Sequence, residues 1–437
     1  MMKVSKLFKM FISLNSSEIN HSFKESIFNG LSPDGSLYYP KKINQLTNLI
    51  NNITKFSNQE IGYIVMKSFT KDEIPNKSLK KIIEKTINFD FPIKKIENNI
   101  FSFELFHGPT LAFKDVGATF LANTLEYFTK DKILNILVAT SGDTGAAVAN
   151  SFYNKKNINV IILFPKNKIS SFQQKQITTK GNNIYGLQVD GDFDECQALV
   201  KNAFKDKDLR NKFDISSANS INVGRWLPQI IYYFILFKEL KKRRIEKNIS
   251  VSIPSGNFGN ICAGIMSQKM GLKFNKIIGS TNINDTIPRY LSSGVFKPNK
   301  TKRTISNAMD VSNPSNFSRI EKLFKNDFKL LTKKMISEKV TEIETKNEIK
   351  KIFKKFGYVL DPHGAVGLVG LKRNLYNNEV GVFFETAHPI KFLNSIKKII
   401  KLKEDFFNIS SNFNSEERIY SIKNNYKSLT KFIESIN

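Results

Sequence analysis

Ile133-Leu-Asn-Ile-Leu-Val-Ala-Thr-Ser-Gly-Asp-Thr-Gly-Ala-Ala-Val148 is the stretch on which the fold turns. Its first seven residues form a short apolar run, as expected of a strand covered on both faces. The run stops at a turn made of hydroxyls and glycines. Ala146 to Asn154 then reads as a helix, and Val160-Ile-Ile-Leu-Phe164, closed by Pro165, reads as a second buried strand. Strand, glycine turn, helix, strand is a βαβ unit, so the chain is an α/β protein with a parallel sheet.

The same alternation recurs downstream. Ile249 to Ile253 predicts a strand, Ile261 to Met270 a helix, Lys276 to Gly279 a strand and Glu379 to Phe384 a late strand. Asp194 to Lys205 and Trp226 to Leu240 read as further helices, and the tail from Phe392 onward as helical and charged. Upstream, residues 1–95 are polar and rich in Asn and Lys. Ser78 to Phe89 is helical there, with Pro75 before it and Phe91-Pro92 ending it. The expected organisation is an accessory domain over 1–95, an α/β domain over 96–240, and a second α/β domain over 241–437 with a helical C-terminal tail. In such folds ligands sit at the carboxyl ends of the strands, where the notable loops of this sequence fall.

A chain of 437 residues buries a large core without staples. Its two cysteines, Cys196 and Cys262, fit no disulfide framework, and its four histidines add no zinc pattern. A reducing, cytoplasmic setting without a metal follows. Lys9 interrupts the apolar run Leu7 to Leu14, no Arg precedes Arg210, and no run has the length of a membrane span. The net charge of +28 is carried mostly by scattered Lys in a sequence full of Asn, Ile and Phe. Codon bias explains that pattern better than a nucleic-acid interface, where Arg forks and basic segments interleaved with aromatics are expected. Steering of a small anionic substrate is compatible with it. Charge runs such as Lys241 to Arg244 read as solvated faces.

Five stretches carry groups suited to chemistry, and each also has a plain structural reading. In Phe106-His-Gly-Pro-Thr-Leu-Ala-Phe-Lys114-Asp, a lysine stands among apolar and small residues. Desolvation lowers the basicity of such an amine and makes it a nucleophile, unless it snorkels from a helix start. Ser141-Gly142-Asp143-Thr144-Gly145 joins a strand to a helix, which suits either an anion or an ordinary cap. Ser255-Gly256-Asn257-Phe258-Gly259-Asn260 does the same with two glycines, but is neither a P-loop nor a dinucleotide fingerprint. Asn219, Ser220 and Arg225 offer an amide, a hydroxyl and a guanidinium to a second anion ahead of a helix. Thr386, in Glu385-Thr-Ala-His-Pro389, puts a hydroxyl at a strand end.

Taken in order, these stretches resemble the threonine synthase family, in its bacterial and fungal type. The signatures are Phe106-His-Gly-Pro-Thr-Leu-Ala-Phe-Lys-Asp, Ala139-Thr-Ser-Gly-Asp-Thr-Gly-Ala-Ala-Val, Ser306-Asn-Ala-Met-Asp-Val and Thr386-Ala-His-Pro, and the likeness runs from about Ser13 through Thr386. The resemblance implies a fold-type II enzyme dependent on pyridoxal 5'-phosphate that makes threonine from O-phosphohomoserine. It implies Lys114 as the cofactor lysine and Ser255 to Asn260 as the loop for the cofactor phosphate. Thr386 would face the pyridine nitrogen. Ser141 to Gly145 would hold the substrate carboxylate, with Asp143 also near the cofactor's phenolic oxygen, and Asn219, Ser220 and Arg225 the substrate phosphate. It suggests a monomer without nucleic-acid or membrane partners.

Three departures stand out: Pro228 in the helix after Arg225, Glu385 where a small residue is usual, and Gly364 in Asp361-Pro-His-Gly. The competing readings are a related phospho-amino-acid lyase, a threonine or serine dehydratase, and a basic nucleic-acid-binding protein.

Overall fold

In the computed structural model, which describes residues 9–402 and 416–437, the strands follow the apolar runs closely. A ribbon of β1 (Phe11–Ser13) and β2 (Tyr38–Pro40) comes first, then a hairpin of β3 (Ile93–Glu97) and β4 (Ile100–Glu104). Next come β5 (Leu134–Ala139), β6 (Ile158–Pro165), β7 (Ile184–Asp190) and β8 (Asp214–Ser217). β9 (Ile249–Pro254), β10 (Lys276–Thr281), β11 (Ile336–Lys339), β12 (Val380–Glu385) and β13 (Ile419–Lys423) complete the set.

Two sheets organise them. One has the order β13-β7-β6-β5-β8 and is parallel throughout; the other runs β11-β10-β9-β12-β4-β3, with only the edge strand β3 antiparallel. β5 and β9 are buried at every position, because helices cover both faces of their sheets. The helix Ile230–Lys242 is apolar nearly all round and correspondingly buried, packed against the N-terminal helix Asn58–Thr70 on one side and Gly259–Lys269 on another. At the seam, the Arg319 guanidinium lies 4.4 Å from the Trp226 ring, and both side chains are fully buried.

Strand pairing corrects the segment boundaries read from the sequence. β4 lies beside β12 in the six-stranded sheet, so the hairpin 93–104 belongs with the strands after 249 rather than with 134–217. Its core side chain Phe103 meets Phe384 edge-on at 5.3 Å, which rewards a pairing between distant parts of the chain. The tail is not wholly helical either. β13 adds to the edge of β7, and Leu429 and Ile433 of the helix behind it bury against the five-stranded side. Of the expected tail, 403–415 lies outside the described residues, as does the N-terminal stretch 1–8.

The expected helix from Trp226 is instead a short helix Val223–Trp226, a 3-10 turn Leu227–Gln229 and the helix Ile230–Lys242. Pro228 stands at the start of that 3-10 turn, where its missing N–H costs nothing.

Candidate active site

The segment Leu111 to Phe113 is stitched to the end of β12. Ala112 bridges Ala387, the Phe113 N–H donates to the Thr386 carbonyl (2.9 Å), and the His388 N–H donates to the Leu111 carbonyl (3.0 Å). Lys114 is the next residue and opens the helix Lys114–Phe128, so these three contacts fix it at the carboxyl end of a parallel strand. There it lines a cavity with about 1090 Å³ of empty space, part of it open to solvent. Ser141, Asp143, Thr144, Asn219, Ser220, Arg225, Ser255 to Asn260 and Thr386 line the same cavity. The residues singled out in five separate stretches of sequence therefore converge, with the exception of Gly142 and Gly145.

Lys114 is 16% exposed, and its Nζ lies 3.6 Å from Asp143 Oδ2. Burial depresses its basicity; Asp143 opposes that effect, while Lys391 and Arg225 reinforce it. Burial alone would raise Asp143, but Lys391 first, then Lys114 and the Gln173 amide at 2.9 Å, hold it well below the usual carboxylate range. The neighbouring Asp115 is also buried and is pushed up to about 6, despite accepting from the Thr110 N–H and hydroxyl.

The turn after β9 has the chemistry of a phosphate cradle. Phe258 is left-handed (φ 57°) just ahead of the helix Gly259–Lys269. Among the described residues, nothing accepts from the backbone N–H groups of Gly256 to Gly259. Asn260 Nδ2 is buried without a partner among those residues. Free N–H groups at a helix start and an orphan amide fit a phosphate-bearing cofactor such as pyridoxal phosphate, with Lys114 in the same cavity to hold its aldehyde. The two glycines differ in role: a Cβ at Gly256 would fall 2.7 Å from Met309 Cα, whereas at Gly259 nothing would come closer than 3.4 Å. Gly256 is required by the chain packed on it.

Elsewhere the structure reassigns several groups. The Gly142 and Gly145 N–H groups both go to Thr140 Oγ1 (2.9 and 2.8 Å), so these glycines shape the loop and leave Ser141, Asp143 and Thr144 to face the cavity. Gly142 adopts φ 133° with Gln173 packed against it, and a side chain fits neither condition. The Asn219 amide is spent on the backbone of Ala139 (3.2 and 2.8 Å). Ser220 accepts from Asn257 Nδ2 (2.6 Å) and Asn316 Nδ2 (3.2 Å), which ties it to the phosphate turn. Arg225 is almost fully buried; its Nη1 donates to the Ala218 carbonyl, its Nε has no partner among the described residues, and burial lowers it to about 10.

Two of the sequence departures prove to be one feature. Glu385 is fully buried, and a Cβ at Gly364 would sit 2.3 Å from its carboxyl carbon. The glycine makes room for the glutamate. Among the described residues no cation pairs with it, and burial first, then the neighbouring Asp361 carboxylate that it faces and Glu104, push the group well above the usual range.

Asp361 caps the helix Pro362–Asn374 and accepts from His363 Nδ1 at 2.6 Å, while His363 Nε2 accepts from the Ala308 N–H at 3.2 Å. That pair of contacts places the imidazole proton on Nδ1. It also holds the signature loop Ser306–Val311, whose Ala308, Met309 and Val311 line the cavity.

Sequence reasoning missed Lys391, Gln173 and His363. Lys391 carries the very signal that picked out Lys114, a lysine among apolar residues, in Pro389-Ile-Lys-Phe-Leu393.

Two family models match the chain. One, described as the threonine synthase N terminus, covers residues 10–87; the other, described as a pyridoxal-phosphate dependent enzyme, covers 92–384. Threonine synthase of Haemophilus influenzae is 44% identical over 382 residues, spanning 87% of this chain and 89% of that protein. The crystal structure of threonine synthase from Escherichia coli matches with a TM-score of 0.90 at 37% identity, covering 98% of this chain and all of that one (100%). Pyridoxal-phosphate-bound threonine synthase from Brucella melitensis matches at 0.89 and 31% identity, over 98% and 99% of the two chains.

Proposed function

The chain belongs to the threonine synthase family of pyridoxal-phosphate-dependent enzymes, and on that premise we propose how its cavity turns O-phosphohomoserine and water into threonine and phosphate. Lys114 holds the cofactor through its amine. The backbone of Gly256 to Gly259, with Ser255 and Asn260 beside it, holds the cofactor phosphate. Thr386 would meet the pyridine nitrogen and Asp143 the phenolic oxygen, since both line the cavity of Lys114. When bound, pyridoxal phosphate supplies the electron sink that makes protons at Cα and Cβ of the substrate acidic.

The remaining chemistry belongs to the side chains. The Lys114 amine would take the proton at Cα, a task that the lowering of its basicity by burial favours. Ser141 and Thr144 bind the substrate carboxylate at the start of the helix Asp143–Phe152. Arg225 and Ser220 meet the phosphate that leaves Cγ, and Asn219 orients that side of the cavity through its grip on Ala139. The observation that carries this reading is the almost fully buried Arg225 guanidinium at the wall of the Lys114 cavity, whose Nε has no partner among the described residues. A dehydratase acting on an unphosphorylated amino acid has no use for it.

The test is to supply O-phosphohomoserine to the protein loaded with pyridoxal phosphate and measure threonine and phosphate. Equal release of both is expected; a 2-keto acid in place of threonine would move the assignment to a dehydratase or related lyase.

We infer further that the chain acts in the cytoplasm as a monomer and takes no nucleic acid. The scatter of its lysines supports this, and no helix of the described residues is long and apolar enough to cross a membrane. Residues 9–95 of the expected accessory unit 1–95 line no part of the cavity, which supports that role. Sedimentation with and without added RNA checks both the mass and the partner.

A further inference from the structure

We propose that Lys391 is a positioning residue for the reaction, a second buried lysine that pairs with Asp143 and so releases Lys114 from that pairing. The role rests on the reading of Lys114 as the cofactor lysine. Lys391 lies in the 3-10 turn Pro389–Phe392, five residues past Thr386, and its side chain is fully buried. Its ammonium has three protons to donate. Asp143 Oδ1 takes one at 3.0 Å, the Thr110 carbonyl another at 2.7 Å, and Gln176 Oε1 the third at 3.2 Å. No donor is left over, so Lys391 binds neither the substrate carboxylate nor a phosphate. What remains for it is to act through the groups it touches.

Asp143 is the group through which it acts. That carboxylate stands between two lysines, with Lys391 on Oδ1 and Lys114 on Oδ2 at 3.6 Å. A buried carboxylate needs one compensating cation nearby. With Lys391 present, the requirement is met at the shorter distance and Lys114 need not supply it. With Lys391 neutralised, Asp143 draws its cation from Lys114, which then keeps its proton and is neither a good nucleophile nor a base.

The other ionisable groups in the surroundings do not offset this. Asp115 is committed to Thr110, Arg225 adds positive charge toward Lys114, and His363 has its Nδ1 proton committed to Asp361. Gln173 supports Asp143 only as a neutral donor.

The experiment uses the full chain loaded with pyridoxal phosphate. It follows the pH dependence of the visible absorbance band and of kcat/KM in the parent and in Lys391→Met, Lys391→Gln and Lys391→Arg, with the thermal midpoint as the check on folding. Both neutral variants are expected to titrate at more alkaline pH and to lose at least about tenfold in kcat/KM at neutral pH, the factor that corresponds to one pH unit. The arginine variant is expected to titrate with the parent, because it restores charge without restoring shape.

Folded neutral variants that titrate with the parent overturn the proposal. Should the neutral variants not fold, Asp143→Asn combined with Lys391→Met removes both charges together. The proposal then requires that pair to titrate close to Asp143→Asn alone, apart from the lesser direct repulsion of Lys114 by Lys391, and a further shift of a full pH unit overturns it. A parent protein that shows no visible band with pyridoxal phosphate would overturn the reading of Lys114 itself, which separates the two failures.

Discussion

Two clusters of buried ionisable groups meet at the end of β12, and they solve the same problem in opposite ways. Around Lys114, charge is balanced by charge: Asp143 sits between two lysines and is held ionised. Around Glu385, charge is removed. Glu104 has Lys94 at 2.9 Å, His107 at 2.7 Å and the Tyr358 hydroxyl at 2.8 Å, and Asp361 has His363 and the backbone N–H groups of the helix it caps. Glu385 has no cation beside it among the described residues, and burial and Asp361 push it toward its neutral form. Compensation is spent where a proton must move; where the strand end need only stay rigid, the carboxyl is left neutral.

Substitutions can break or sharpen that contrast. The largest expected effect is at Lys114→Ala, which removes the visible cofactor band and lowers turnover by more than about 10⁴-fold; near-normal turnover would refute the assignment. Arg225→Ala comes next. Losing a charge-assisted contact of about 1.5–3 kcal/mol predicts a KM for O-phosphohomoserine raised roughly 10- to 100-fold with the cofactor band intact. Loss of the band as the main effect would mean that Arg225 serves the cofactor instead.

Gly364→Ala should cost about 1–3 kcal/mol by overpacking Glu385, and Glu385→Ala in the same chain should recover most of it. Denaturant midpoints of the four-member cycle measure the coupling, and simple additivity would show that the two residues are independent.

The smallest effect is the pH slope of Glu385→Gln. Glu385 binds its proton more tightly folded than unfolded. The parent therefore loses stability as pH rises above the unfolded value, by up to about 1.4 kcal/mol per pH unit, until the folded group ionises. The glutamine variant lacks that slope and gains on the parent as pH rises. Parallel curves would mean that Glu385 is ionised in the fold.

The parts of the molecule legible in the sequence are those governed by local rules. β5, β6, β9 and β12 begin and end within a residue or two of their apolar runs, because a strand covered on both faces leaves little choice of residue. The five stretches that converge on the cavity were legible by resemblance and by the chemistry of strand-to-helix turns.

What escaped is non-local. β13 reads Ile-Tyr-Ser-Ile-Lys and is largely exposed, so no apolar pattern announces it; only the open edge of β7 makes it a strand. The hairpin 93–104 sits well before the strands it joins. Asn219 looked like an anion ligand by type, yet its amide is consumed by a backbone it meets only after folding. Lys391 was visible as an odd residue, but its meaning depends on Asp143, which the chain delivers from the other sheet.

The tight fit of Gly364 against Glu385 also bears on the history of this chain. A glutamate arriving at 385 opposite any residue with a Cβ would have met a collision in a fully buried place, while a glycine arriving first at 364 would have left only a small void. The accessible order is glycine, then glutamate. With both in place, a side chain at 364 requires the Glu385 carboxyl to move or to be removed. The pair thus acts as a latch one residue from Thr386: a change at either position is expected to be tolerated or not according to what stands at the other.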